Sequence, residues 1–153
     1  MTTIADRLAL GLQHGLPKQA LTALAGALAS RNGGALTTRV VRWFIARYRV
    51  EMAEAADPDP AHYATFNDFF TRALAPGVRP LAAADWICPV DGAVSQCGAI
   101  ERDQLVQAKA HRYSTTALLG GDAELAATFD DGTFATLYLS PKDYHRIHMP
   151  CAG

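Results

Sequence analysis

Between residues 17 and 56 the apolar positions recur at helical intervals. "PKQALTALAGALAS" opens on Pro17, which suits a first helical turn, runs in Ala and Leu, and stops at "RNGG". "LTTRVVRWFIARYRVEMAEAA" follows. Leu36, Val40, Val41, Phe44, Ile45, Tyr48 and Met52 fall at spacings of three and four, which predicts a single apolar helix face. Arg39, Arg42, Arg47 and Arg49 lie toward the other side, and Trp43 sits near the boundary. Two readings fit this pattern: an amphipathic helix packed on its own domain, or one lying in a membrane interface. The pattern changes near residue 57. "DPDPAHY" is a break, since each proline disfavours helix just before it. A short helix is expected over "TFNDFFTRAL", with Phe66, Phe69 and Phe70 on one face, ended by "APGVRP".

Beyond that point the pattern is one of short strands and turns. "WICPVDGAVSQCGAI" has Asp91-Gly92 between apolar runs, a turn signal. "LVQAKAHRYS" predicts a strand leading into a small helical piece, "TTALLGG". "ATFDDGTFATLYLS" predicts a hairpin turning at Asp131-Gly132, with Phe134, Thr136 and Tyr138 alternating against Ala135, Leu137 and Leu139. The expected class is α+β: N-terminal amphipathic helices, then a mostly antiparallel β domain.

Composition adds one point. The 153 residues are half hydrophobic and 19% charged, as in a globular domain. Charge is unevenly spread: residues 1–50 carry a net +6 and residues 51–153 a net −7. A basic first third predicts an anionic partner, either nucleic acid or an acidic membrane surface. The aromatic residues of the basic helix belong to its apolar side and do not interleave with the charges as a base-stacking platform would, which disfavours nucleic acid. No stretch reaches the roughly 20 apolar residues of a spanning helix. The first residues also lack the order of a secretory signal, because Asp6 and Arg7 come early. Cys88, Cys97 and Cys151 are odd in number and share no metal-like spacing, so free thiols in a reducing compartment are expected.

The chemistry concentrates in "YLSPKDYHRIHMP". His145 and His148 lie three apart on a loop that leaves a strand. They can serve as general acid and base near neutral pH, as metal ligands, or as structural groups bonded to backbone. No carboxylate or cysteine cluster completes a metal site, so none is expected. Asp91 is either a local turn former or the group that orients a histidine.

Four blocks in order, "FNDFFTRALAPGVRP", "CPVDGAVSQCGAI", "AKAHRYSTTALL" and "LYLSPKDYHRIHMPCAG", closely resemble the phosphatidylserine decarboxylases of the bacterial and mitochondrial type. The first residues and the basic helix resemble that family's membrane-associating segment. The resemblance implies a proenzyme that cleaves itself at a Gly-Ser pair into a larger β chain and a small α chain. The serine becomes a pyruvoyl group, which forms a Schiff base with the amine of phosphatidylserine and takes up the electrons left by carbon dioxide. The product is phosphatidylethanolamine. Asp91 matches the family's triad aspartate, His148 its triad histidine, and His145 the histidine implicated in decarboxylation. Arg39, Arg42, Trp43, Phe44 and Arg47 would meet the membrane. Residues 1–56 would form the membrane-associating segment and residues 57–153 the first part of the catalytic domain. The implied partners are phosphatidylserine, an anionic membrane surface and the α chain, with a homodimer allowed and nucleic acid excluded. The implied place is the cytoplasmic side of the cell membrane, peripherally bound.

No Gly-Ser pair occurs here: Ser30, Ser95, Ser114 and Ser140 follow Ala29, Val94, Tyr113 and Leu139. The expectation is therefore a partial sequence, inactive alone and with sheet edges exposed, whose pyruvoyl-forming serine lies beyond residue 153. Two other classes fit parts of the pattern. One is a biotinyl- or lipoyl-like β-barrel module, although the expected "DDG" hairpin tip lacks the lysine such carriers modify. The other is a membrane-binding protein without catalysis.

Overall fold

The computed structural model describes residues 17–107 and 111–152. The segment 1–16 and Lys109 lie outside them. Helix α1 (Lys18–Ala29) buries none of its residues, leaving Leu21, Leu24 and Leu28 exposed. Its C-cap Ser30 accepts a bond from Asn67 Nδ2 at 2.7 Å. Gly33 and Gly34 then turn the chain. Gly34 takes φ +54°, and a Cβ on Gly33 would sit 2.9 Å from Thr37 Oγ1, so side chains are disfavoured at both.

Helix α2 (Ala35–Tyr48) ends earlier than its periodicity predicts. Arg49 adopts a left-handed φ of 56°, and the Val50 amide bonds back to the Ile45 carbonyl at 3.1 Å. This six-to-one closure, with buried Val50 packing behind it, turns the chain inward. Residues 54–56 then run against 73–75: Ala56 N donates to Ala73 O at 2.9 Å and Ala75 N to Glu54 O at 2.8 Å. Helix α3 (Phe66–Phe70) starts from a capping box in which Thr65 and Asp68 satisfy each other's amides. It is shorter than the expected ten-residue helix.

The core lies between α2 and α3. Val41, Val50 and Phe69 are its buried centre, with Phe44, Ile45, Tyr48, Tyr63, Phe66 and Phe70 packed around them. Phe44 meets Phe66 at 5.1 Å and Phe69 at 5.8 Å between ring centres, both edge to face, the arrangement aromatic quadrupoles prefer. The apolar positions of α2 therefore divide. Val41, Phe44, Ile45 and Tyr48 face this core, whereas Leu36, Val40 and Trp43 remain exposed. Phe44, expected at the membrane, instead turns inward, because α3 offers it three aromatic partners.

The remainder is antiparallel, in two two-stranded sheets, so the α+β class holds. Strand β1 (Ala93–Ala99) pairs with β4 (Thr133–Tyr138), with an irregularity between Val94 and Gln96. Strands β2 (Gln104–Gln107) and β3 (His111–Ser114) form a hairpin where one strand was expected. Short helices α4 (Thr115–Leu118) and α5 (Ala123–Ala127) follow, each capped by a side-chain oxygen, of Ser114 and Asp122.

Neither Asp-Gly pair turns a hairpin. Asp131, at φ 59°, carries the chain from α5 into β4. Gly92 serves a close approach, since a Cβ there would meet the Tyr138 carbonyl oxygen at 2.7 Å. Local sequence signals the turn residue, but the partner of β1 lies some 40 residues away, beyond the reach of any turn motif.

Candidate active site

Two proline-containing segments hold the site together. The Ile87 amide donates to the Pro150 carbonyl at 2.8 Å, and the His148 amide donates to the Pro89 carbonyl at 2.9 Å. This is antiparallel pairing of 87–89 with 148–150. At each bonded position one partner is a proline without an N–H, so each pair keeps one bond of two. The pairing carries "HRIHMP" back alongside "CPVDG". It begins from a turn in which the Asp143 amide bonds Ser140 O at 2.9 Å and the Asp143 carboxylate takes the Ser140 amide at 2.6 Å, with Pro141 between.

The result is a cavity of about 670 Å³, with walls that include Leu74, Leu81, Trp86 and Val90 and polar groups from Arg79, Asp91, Tyr144, Arg146 and His148. Asp91 stands just ahead of β1. Arg79 Nε lies 3.1 and 3.0 Å from its two oxygens, and Nη2 lies 2.6 Å from Oδ2. The same Nη2 reaches Glu54 Oε2 at 2.7 Å. Hydrogen bonds to Asp91 and then Glu54 push the Arg79 guanidinium further above its usual range. Arg79 thereby ties the segment after α2 to the site.

His148 is held by Tyr144. Their rings stack with centres 5.6 Å apart at 20°, and His148 Nε2 lies 3.2 Å from the tyrosine hydroxyl. Tyr144 is itself buried. His145 points elsewhere: Nδ1 donates to the Asp143 carbonyl at 2.8 Å, which makes Nδ1 the protonated nitrogen and leaves Nε2 available. Its ring packs on Phe70 at 4.0 Å.

Asp91 and His148 thus share one cavity. Among the described residues no hydrogen bond joins them, because Arg79 holds the carboxylate and Tyr144 the imidazole. His145 is outside the cavity's lining, on the side of the aromatic core. Sequence reasoning missed Arg79 and Tyr144 as positioning groups. Arg79 lies in "APGVRP", which reads only as a helix stop, and nothing local connects it to Asp91 twelve residues on.

Arg72 buttresses the loop from behind. It is buried, its guanidinium stands 5.5 Å over the Phe69 ring, and Nη2 donates to Lys142 O at 3.3 Å. Loss of hydration drives its affinity for the proton below the usual arginine range. No cluster of metal-ligating side chains occurs among the described residues.

A model of the phosphatidylserine decarboxylase family matches residues 66–153, more than half of the chain and the whole stretch that builds this cavity from α3 onward. The chain belongs to the phosphatidylserine decarboxylase family. A second family model, described as PSD, matches residues 8–49. The phosphatidylserine decarboxylase proenzyme of Delftia acidovorans is 70% identical over 150 residues, which is 98% of this chain and 53% of that protein. The proenzyme of Azoarcus sp. is 70% identical over 150 residues, 98% of this chain and 52% of that protein. The chain spans about half the length of the curated relatives it matches. Membership favours the decarboxylase over the carrier alternative, and the fold agrees: "PVDGAVSQCGAI" opens no hairpin of its own, and "DDG" is not a hairpin tip.

The outer side of α2 bears on the membrane reading. Leu36, Val40, Trp43 and Arg47 recur at intervals of four, three and four, which makes one exposed stripe, with Arg39 and Arg42 exposed beside it. No described helix is long and apolar enough to cross a membrane.

Proposed function

We propose that this stretch is the first half of a phosphatidylserine decarboxylase proenzyme, a carboxy-lyase that converts phosphatidylserine to phosphatidylethanolamine. Residues 1–56 serve membrane association, and residues 57–153 begin the catalytic domain. The observation that carries the reading is the convergence of Asp91 and His148 on one cavity through the 87–89/148–150 pairing, in a chain of this family.

In maturation, His148 accepts the proton of the attacking serine hydroxyl and Asp91 orients and stabilises the imidazolium. Arg79 leaves Asp91 capacity for this task. Oδ1 takes only a shared Nε bond, so lone pairs remain for the imidazole once His148 turns from Tyr144. A pyruvoyl group fits a cavity whose polar groups are a carboxylate, an imidazole, a phenol and guanidinium forks, and its chemistry is that of an electron sink for the bond to carbon dioxide. His145, flanked in sequence by the cavity residues Tyr144 and Arg146 although not itself in the lining, has Nδ1 committed to a carbonyl and keeps Nε2 for proton delivery to the substrate carbon. The exposed leucines of α1 and the exposed basic stripe of α2 support peripheral attachment to an anionic bilayer, for which we propose the cytoplasmic face of the cell membrane.

The test is expression of the full-length proenzyme, with gel analysis of chain cleavage and chromatographic assay of phosphatidylethanolamine formation. Asp91→Ala and His148→Ala are expected to stay uncleaved. His145→Ala is expected to cleave, yet fail to turn over. Normal maturation of Asp91→Ala, or a wild-type protein that forms no phosphatidylethanolamine, would overturn the assignment.

A further inference from the structure

The cavity contains two guanidinium groups, and they differ in what already holds them. Arg79 is taken up by Asp91 and Glu54. Arg146 has no carboxylate within ion-pair distance among the described residues; its single described bond runs from Nε to the Thr71 carbonyl, at 2.7 Å across 75 residues of sequence. That bond anchors the stem of the fork at the end of α3 and leaves both terminal nitrogens for another acceptor. A planar pair of N–H donors on a fixed stem matches the oxygens of a phosphate or carboxylate.

We propose that Arg146 is the seat of the phosphodiester of the lipid headgroup. The inference rests on the decarboxylase reading. The headgroup of phosphatidylserine offers two anions, and the chemistry selects between them. The carboxylate loses its charge as carbon dioxide leaves. A cation paired with it would stabilise the reactant more than the transition state and so slow the step. The phosphodiester keeps its charge from substrate to product, so a fork that grips it binds both alike without raising the barrier. Arg146 therefore sets affinity, while His145 and the pyruvoyl-bearing chain carry the reaction.

The experiment uses the full-length proenzyme with Arg146→Gln and Arg146→Lys. Steady-state rates are taken on short-chain phosphatidylserine in neutral detergent micelles. Binding of short-chain phosphatidylethanolamine, which keeps the phosphate and lacks the carboxylate, is followed by isothermal titration calorimetry in the same micelles. Loss of one charged hydrogen-bonding partner predicts about a tenfold or larger rise in both KM and the phosphatidylethanolamine Kd for Arg146→Gln, with kcat within about twofold. Arg146→Lys, which keeps charge but not the fork, is expected to fall between, and it carries the test if Arg146→Gln fails to self-cleave. Unchanged KM and Kd, weakened binding of phosphatidylserine alone, or a fall in kcat at constant KM would each overturn the proposal. A wild-type enzyme that does not turn over refutes the underlying decarboxylase reading instead.

Discussion

Replacing Trp43 by serine tests whether the outer face of α2 meets a bilayer. Trp43 is 59% exposed, and its one described aromatic neighbour is Tyr48, edge to face at 6.4 Å. A tryptophan presents up to about 250 Å². The exposed share is then about 150 Å², worth about 4 kcal/mol if fully removed from water at about 25 cal/mol per Å². An interfacial ring stays half wet, which leaves about 2 kcal/mol, or about a thirtyfold change in partition coefficient. Arg39, Arg42 and Arg47 add about 1 kcal/mol each on an anionic surface and nothing on a zwitterionic one. The assay is co-sedimentation of this chain with vesicles of phosphatidylcholine, with and without phosphatidylglycerol, over a salt series. Wild type should prefer the anionic vesicles and release as salt rises. Trp43→Ser should bind about thirtyfold more weakly to them, with its circular dichroism unchanged. Equal binding of wild type and Trp43→Ser, or equal binding of wild type to both vesicle types, would refute the reasoning.

Three further outcomes are expected. Arg79→Met removes the fork from Asp91; because the pair is substantially exposed, stability should fall by no more than about 1 kcal/mol, while self-cleavage of the full-length proenzyme on a gel time course should slow about fivefold to tenfold. An unchanged cleavage rate would show that the clamp does not position Asp91. Phe69→Ala empties the middle of the aromatic cluster at a fully buried position and should cost about 3–5 kcal/mol in urea unfolding, against under about 1.5 kcal/mol for the exposed Leu81→Ala. Tyr63 has its ionisation pushed above 10.0, first by burial and then by the charge of Asp57, so its contribution is fully present below pH 10 and declines as pH rises beyond it. Tyr63→Phe should be less stable at pH 8, having lost the 2.6 Å bond to the Asp57 carbonyl, and its deficit should narrow above pH 10; a constant deficit would exclude that linkage.

Features decided within a few residues were legible from the sequence. Residues 36–48 read as a helix because their apolar spacing is a local property of the chain. The short helix at Phe66 was legible because Phe66, Phe69 and Phe70 recur at helical spacing, although the Thr65–Asp68 capping box that starts it went unread. The alternation of 133–138 marked β4. Asp91, His145 and His148 could be named from the sequence because their blocks resemble a family's motifs, which report chemistry that geometry has yet to assemble. Tertiary structure decided the rest. Which apolar residues of α2 turn inward depends on where α3 docks, so periodicity merged Leu36 and Val40 with Val41 and Phe44 although they face different surroundings. The helix stops at Tyr48 because Val50 finds a core to enter. The partner of β1 is β4, and the partner of the histidine loop is the segment 87–89; both pairings join residues some 40 to 60 positions apart. Arg79 and Arg146 carry the same side chain into the same cavity, yet one is saturated by Asp91 and Glu54 while the other, among the described residues, keeps two donors available. No spacing rule separates them, because the difference lies in which distant carboxylates the fold brings within 3 Å of each.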